Sequence, residues 1–398
     1  MLRHLFTLIW NRKRSNFLLI TEIVLSFFVL FVVSSLLVSS YYNYRQPMGF
    51  DYTNVWEFDL NPGQDTASRK ETLRLLKQHL RATPGVVAVT HATHNSPFSF
   101  SNMNTDQFRY KGRIPSQTEW YEADDEMARV MKLNVVAGRW FDRRDENSGQ
   151  DPVIINQKLA DELFVDEAPV GKYIDDKSSS KKWLVVGVID AYRAGSDMAA
   201  NEPALFYRRP LEDTAKSKYG YDGPVLLVRV QPGSGAILEQ QLVKDIKQVS
   251  KGWDATVNSL EENRRDKMKI VLTPLTALGL VALFLIINVA LGLFGVLWYN
   301  INQRKAEIGL RRAMGATGAG ISKQFLGEML VVTTLGVVAG LLLTVQFPLL
   351  DAFGLGTEVY GLAMLATTVL VYLLTAVCAL QPSRQAAGIQ PAVALREE

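Results

Sequence analysis

Cysteine is almost missing from this sequence: among 398 residues there is only Cys378, which excludes an intrachain disulfide framework and any multi-cysteine zinc site. Histidine is nearly as scarce, with four in the chain and no HExxH pattern. His91 and His94 stand three apart but follow a predicted strand with no third ligand close in sequence, so no metal site is expected. An excess of charge is lacking too: 43 basic against 40 acidic residues leave a net charge of +3, without the basic footprint of a nucleic-acid binder. No GxSxG nucleophile elbow occurs. Gly315-Ala316-Thr317-Gly318-Ala319-Gly320-Ile321-Ser322 has the outer glycine spacing of a phosphate loop. Ile321 stands where a lysine must reach the β- and γ-phosphates, so nucleotide binding is rejected, and the glycines are expected to end a helix and allow close packing. Asp124-Asp125-Glu126 reads as a solvated cap at a helix start rather than a calcium site. The chain therefore reads as non-catalytic, with no catalytic, cofactor or metal residues.

What is abundant is apolar sequence in long runs, hidden by a mean hydropathy of only +0.04. Phe17 to Ser40 carries one charge, Glu22; Val271 to Asn300 carries none; Gln324 to Gln346 carries only Glu328; Val359 to Leu380 carries none. A hydrocarbon core of about 30 Å needs roughly 20 helical residues, so each run predicts a membrane span. The first run is too long for a signal peptide and has no Ala-x-Ala site. Arg3, Arg12, Lys13 and Arg14 precede the first span, and Arg304, Lys305, Arg311, Arg312 and Lys323 lie between the second and third. These segments are expected on the cytoplasmic side, with both termini. Arg264, Arg265, Lys267 and Lys269 argue the other way, but long translocated domains largely escape the rule. Residues 1–16 read as an amphipathic helix at the inner membrane surface.

The runs divide the chain into spans at 17–44, 271–300, 324–346 and 359–380, a polar insert at 45–270, a cytoplasmic loop at 301–323, an external loop at 347–358 and a tail at 381–398. The expected fold is an α-helical membrane protein with four transmembrane helices and a large extracytoplasmic α+β domain inserted between helices 1 and 2. Within the insert, Asn54–Leu60, a Pro-Gly turn, a helix over about 66 to 82 and Gly85–Thr90 are echoed by Pro224–Val230, a Pro-Gly turn, a helix over about 235 to 250 and Trp253–Val257. Two strand-helix-strand halves, at about 50–110 and 220–260, thus flank a second lobe at about 110–215. The chain builds half a domain, makes an excursion and returns. Glu261-Glu262 and Arg264-Arg265 mark a charged stalk helix leading into the second span. Within the spans, Glu22 and Glu328 lie near the cytoplasmic end, where snorkelling or a helix-end contact is expected, and Asn288 is the remaining polar exception. Gly292, Gly295, Gly327, Gly336 and Gly340 would let helices approach closely.

The most specific stretch runs Asn302-Gln303-Arg304-Lys305-Ala306-Glu307-Ile308-Gly309-Leu310-Arg311-Arg312-Ala313-Met314-Gly315-Ala316-Thr317, followed by Ile321, Gln324, Phe325 and Glu328. It closely resembles the R-x-x-E-I-G-[IL]-R-[RK]-A-x-G-A loop of MacB/FtsX-type ABC transporter permeases. Ala137-Gly138-Arg139-Trp140-Phe141, Val153–Asn156 and Pro169-Val170-Gly171-Lys172 resemble that family's periplasmic core domain, and Pro382 to Ala386 and Ile389 to Ala392 its usual ending. The resemblance implies that Glu307, Ile308, Gly309, Leu310, Arg311, Arg312, Ala313, Met314, Gly315 and Ala316 form a coupling helix in a groove of a separate ABC ATPase subunit. Arg311 and Arg312 would pair with acidic groove residues, and Ile308, Leu310, Ala313 and Met314 would supply apolar contact. It further implies a homodimer or heterodimer in the bacterial inner membrane, moving a periplasmic domain by mechanotransmission to export or extrude a substrate, with an adaptor or hydrolase among the partners the family uses. The alternatives are an FtsX-like regulator of a cell-wall hydrolase, whose usual insert is much shorter, and a lipoprotein-release permease. A membrane-anchored enzyme or sensor would leave the loop signature without a role.

Overall fold

The structure is a computed structural model. It describes residues 13–62, 69–92, 96–100, 104–115, 117–146, 149–176, 181–209, 225–350 and 352–388. Most of the expected amphipathic start, His94 and the end of the tail from 389 lie outside these residues. The chain forms two compact units, one from residues 1–42 and 272–398, the other from 43–271.

In the insert unit, β1 (Val55–Asn61), β2 (Val86–Ala92), β11 (Val225–Val230) and β12 (Asp254–Ser259) form an antiparallel sheet in the order β12-β1-β11-β2. β11 therefore sits between β1 and β2, with Val55 opposite Arg229 and Val228 opposite Val89. The two halves interleave rather than lie side by side, a split βαβ arrangement. Helices α2 (Arg69–Ala82) and α5 (Ala236–Val249) cover one face, burying Leu73, Leu76, Leu80, Leu242 and Ile246 against Phe58, Leu226 and Val228. The other face, through Val55, Ala88 and Leu227, joins a core with Tyr121, Ile154 and Phe206 of the second sheet. Burial on both faces explains why β11 reads as a nearly continuous apolar run.

The second sheet is eight-stranded, in the order β3-β5-β10-β7-β9-β8-β4 with β6 paired to β9. Its strands are β3 (Thr105–Asp106), β4 (Phe108–Arg109), β5 (Thr118–Ala123), β6 (Val135–Gly138), β7 (Pro152–Asn156), β8 (Tyr173–Asp176), β9 (Lys182–Ile189) and β10 (Ala204–Arg208), with helices α3 (Met127–Met131) and α4 (Gln157–Leu163) in the connections. β3 and β4 belong to this sheet, so the excursion begins a few residues earlier than the expected 110. The acidic cluster is also different from the expectation. Asp124 does accept from the Glu126 N–H at 3.0 Å, as a cap would, but it is only 4% exposed. Its carboxylate also accepts from Thr90 Oγ1 at 2.6 Å and from Lys77, and lies 3.6 Å from His91 Nδ1. Burial opposes its ionisation, but His91 and Lys77 outweigh it and hold the carboxyl below the usual range.

Among the described residues four helices are long and apolar enough to cross a membrane: α1 (Lys13–Tyr44), α6 (Leu260–Gln303), α8 (Gly318–Thr344), which continues with the short α9 (Gln346–Leu350), and α10 (Thr357–Ala387). α6 starts well before the apolar run at Val271, and α10 runs past it through Pro382, because backbone hydrogen bonding does not stop where hydrophobicity does. Thr333 bonds Thr375 at 3.0 Å and Thr334 bonds Tyr372 at 2.8 Å, joining α8 to α10. Asn288 donates to the Phe284 carbonyl of its own helix at 2.9 Å. Glu22 departs from the helix-end expectation. Its carboxylate lies against Gly292 of α6, where an added Cβ would stand 2.5 Å from Oε2. Gly336 and Gly340 likewise receive Ile23 and Phe27 of α1, whereas nothing lies within 4 Å of a Cβ built at Gly295 or Gly327.

An added Cβ would meet Ile23 Cγ2 at 2.6 Å from Gly336 and the Phe27 ring at 2.6 Å from Gly340, and neither obstacle is the far end of a flexible side chain. Gly336→Ala and Gly340→Ala should each cost about 1–3 kcal/mol of stability by overpacking, read as a lower thermal midpoint of the detergent-purified chain. Gly327→Ala should leave the midpoint unchanged or raise it.

Candidate functional site

The loop signature forms a short helix, α7 (Lys305–Ala313), with one side held by a charged network. Arg304, at its N-cap, is 7% exposed and donates to Glu307 at 2.9 Å and to Glu328 of α8 at 3.0 and 3.2 Å, over the ring of Phe325. Gln324 donates to Glu328 at 3.1 Å. Arg311 donates to Gln324 at 2.9 Å and pairs with Glu307 at 2.5 Å. Arg311 is therefore engaged within the chain, with its side chain still 38% exposed. Among the described residues the Arg312 guanidinium has no ion-pair partner.

The apolar residues separate in the same way. Ile308, expected to contact a partner, is buried at 3% exposure and packs with Ile301, Ile321 and Phe325; Gly309 is buried beside it. Leu310 and Met314, four residues apart, are 52% and 73% exposed, and Ala306 and Ala313 are exposed as well. The helix ends at Gly315, whose φ of +96° is open to glycine at no steric cost, and Thr317 caps α8 by accepting from the Gly320 N–H at 3.2 Å. The phosphate-loop lookalike is thus a C-cap followed by an N-cap.

A second constellation lies within the insert unit, at the base of α6. Ser259 and Glu262 form reciprocal caps, with Glu262 N–H donating to Ser259 Oγ at 3.1 Å and Ser259 N–H to Glu262 Oε2 at 3.3 Å. This S-x-x-E capping box is visible in the sequence and could have placed the helix start at Leu260. Arg264 pairs with both carboxylate oxygens of Asp197, at 2.8 and 3.0 Å. Lys267 donates to the Ser99 carbonyl at 2.8 Å, and Asn263 to Glu57 of β1 at 3.2 Å. The basic residues that argued against the expected topology are in part committed to this anchorage. Glu57 is 6% exposed, and burial pushes its carboxyl up to about 7 against the hydrogen bonds from Ser96 and Asn263.

The MacB-like periplasmic core domain model matches residues 17–247 and the FtsX-like permease C-terminal model matches residues 279–391. The chain belongs to the MacB/FtsX-type ABC transporter permeases. The FtsX-like match contains α7 and all of its charged partners. Relatives include the pyoverdine export ATP-binding/permease protein PvdT of Pseudomonas fluorescens, 24% identical over 69% of this chain and 42% of that protein. An ABC transporter permease, YvrN, of Bacillus subtilis is 25% identical over 71% of each chain. The macrolide export ATP-binding/permease protein MacB of Hahella chejuensis is 25% identical over 84% of this chain and 50% of that one. The chain thus spans half or less of the two exporters. The crystal structure of the periplasmic region of MacB from Actinobacillus actinomycetemcomitans aligns with 54% of this chain and 92% of its own, at 14% identity and a TM-score of 0.38.

Two measurements test the energetics of this permease. Arg304→Ala leaves Glu328 without its buried counter-charge and should cost about 3–5 kcal/mol; Met314→Ala, at an exposed position, should stay within about 0.5 kcal/mol. Thermal unfolding in detergent compares them. For Glu57, the folded value of about 7 lies above the ordinary 4.5, so the folded state holds a proton that the unfolded state releases. Stability from this group is fully present below about pH 4.5 and falls until about pH 7, by about 3 kcal/mol. Glu57→Gln should remove that decline, matching wild type near pH 4.5 and exceeding it in thermal midpoint at pH 8.

Proposed function

We propose that this permease transmits force between an ATPase and its insert domain. The four apolar helices cross the bacterial inner membrane, the insert lies on the periplasmic side, and both termini and α7 are cytoplasmic. α7 docks in a groove of an ABC ATPase outside these residues, and two permease chains, identical or related, act with two ATPase subunits. ATP-driven closure of the ATPases displaces α7. The Arg304–Glu307–Glu328 network passes that displacement to α8, and α6, tied at its base to Glu57, Ser99 and Asp197, carries motion to the insert. The relatives named for pyoverdine and macrolide export support export or extrusion of a periplasmic substrate. Transport need not pass between these helices, where Asn288, Thr333, Thr334, Tyr372 and Thr375 are hydrogen-bonded within or between helices.

The observation that carries this reading is the exposed apolar edge of α7, Leu310 and Met314, on a helix whose opposite side is locked to the chain. A loop serving only topology needs positive charge but no such edge. The experiment is ATP hydrolysis by the ATPase that copurifies with the chain. Leu310→Asp and Met314→Asp should abolish permease-stimulated hydrolysis, a fall of at least about tenfold, at unchanged thermal stability; Ile308→Asp should destabilise the chain itself. Full stimulation in both exposed-site variants would refute the docking assignment.

A further inference from the structure

The insert unit contains a cavity of about 650 Å³, within the size range of small-molecule sites, whose acidic wall takes no part in the anchorage of α6. Glu119 and Tyr121 of β5, Glu202 ahead of β10, Tyr192, and Lys267 of α6 contribute to its lining. The parallel pairing of β5 with β10 brings the two acids together: the Glu119 N–H donates to the Pro203 carbonyl at 2.8 Å, next to Glu202. Burial, assisted by the charge of Glu202, pushes the Glu119 carboxyl up.

The charges in this wall are unevenly satisfied. Arg193 donates to the carbonyls of Gln46, Asp197 and Ala199 at 2.5 to 3.1 Å, and Lys267 to the Ser99 carbonyl while lying over the Phe100 ring. Neither cation faces Glu119 or Glu202 in an ion pair, and among the described residues neither acid has an ion-pair partner; Glu119 accepts from the Tyr121 hydroxyl. A hydroxyl of the same lining is unsatisfied. Tyr192 is 2% exposed, its ring packs against Tyr121 at 4.8 Å and Phe206 at 4.9 Å, and among the described residues its hydroxyl has no hydrogen-bond partner. Tyr192 lines the cavity together with Glu119 and Glu202. A buried hydroxyl without a partner is costly, and such groups mark places where a ligand or water completes the bonding.

We propose that this cavity binds the ammonium group of an amine-bearing small molecule, with Glu119 and Glu202 as counter-charges and the Tyr192 hydroxyl oxygen as an acceptor. An ammonium offers three donors and no acceptor, which matches two carboxylates and a lone hydroxyl. An anion would meet carboxylates while the cations nearby are already committed. The proposal is independent of ATPase coupling, since none of its residues belongs to α7 or its network.

Calorimetric titration of the full chain in detergent with putrescine tests it, with 1,4-butanediol as the uncharged counterpart and succinate as the anion. Putrescine should bind saturably and the other two should not. Glu119→Gln and Tyr192→Phe should each weaken putrescine binding by about tenfold or more. Tyr192→Phe keeps the ring packing and Glu202→Gln alters an exposed side chain, so both report on binding even where Glu119→Gln disturbs the fold. Absence of putrescine binding to the wild type, equal binding of the diol, or unchanged affinity in Tyr192→Phe and Glu202→Gln would overturn the assignment.

Discussion

The pairing of β1 with β11 is the constraint on which the insert depends. Val55 through Asp59 lie opposite Arg229 through Val225, so residues far apart in sequence must meet in the middle of one sheet. Closing so long a loop costs only logarithmically more than closing a short one, and the sheet recovers that cost by burying both of its faces. Arg229 reinforces the closure from within: it is 5% exposed and donates to the carbonyls of Asp51, Thr53 and Val130. The return of the chain also sets the base of α6, because β12 pairs with β1 and runs directly into the capping box at Ser259. The end of one strand and the start of the long helix are therefore a single local structure.

The loop helix follows the same logic on a smaller scale. A nine-residue helix is too short to hold itself in water, so its order comes from tertiary contacts: Ile308 in the apolar cluster and Arg304 between two carboxylates. These contacts orient the helix and thereby decide which residues remain outside. Burying Arg304 is tolerable only because Glu307 and Glu328 both reach it, which turns a costly charge into a fixed joint between the loop and α8.

Much of this was legible in the sequence. The apolar runs stand out because roughly 20 uncharged residues are rare outside membranes, and the strand-helix-strand echo follows from period-2 runs separated by turn residues. The Arg304–Ala316 order identified the family before any contact was known. Other features were not legible. Asp124 looked like a solvated cap because local sequence does not show that Lys77, Thr90 and His91 converge on it from another half of the domain. Glu22 lay near a helix end in sequence, yet its direction depends on which helix packs there and on Gly292 leaving room. Arg311 and Ile308 looked outward because a motif lists residue types, not the faces on which they stand.

By itself the sequence determined the number of long apolar runs, the composition of the insert and the family, since these depend on local pattern and residue order. Only the tertiary structure decided which glycines admit a neighbour, which arginine is spent, which apolar edge of α7 is exposed, and that Glu119, Glu202 and Tyr192 line one cavity. Those properties belong to pairs of groups brought together by packing, and a charge or an apolar side chain acquires its role from the partner it meets rather than from its neighbours along the chain.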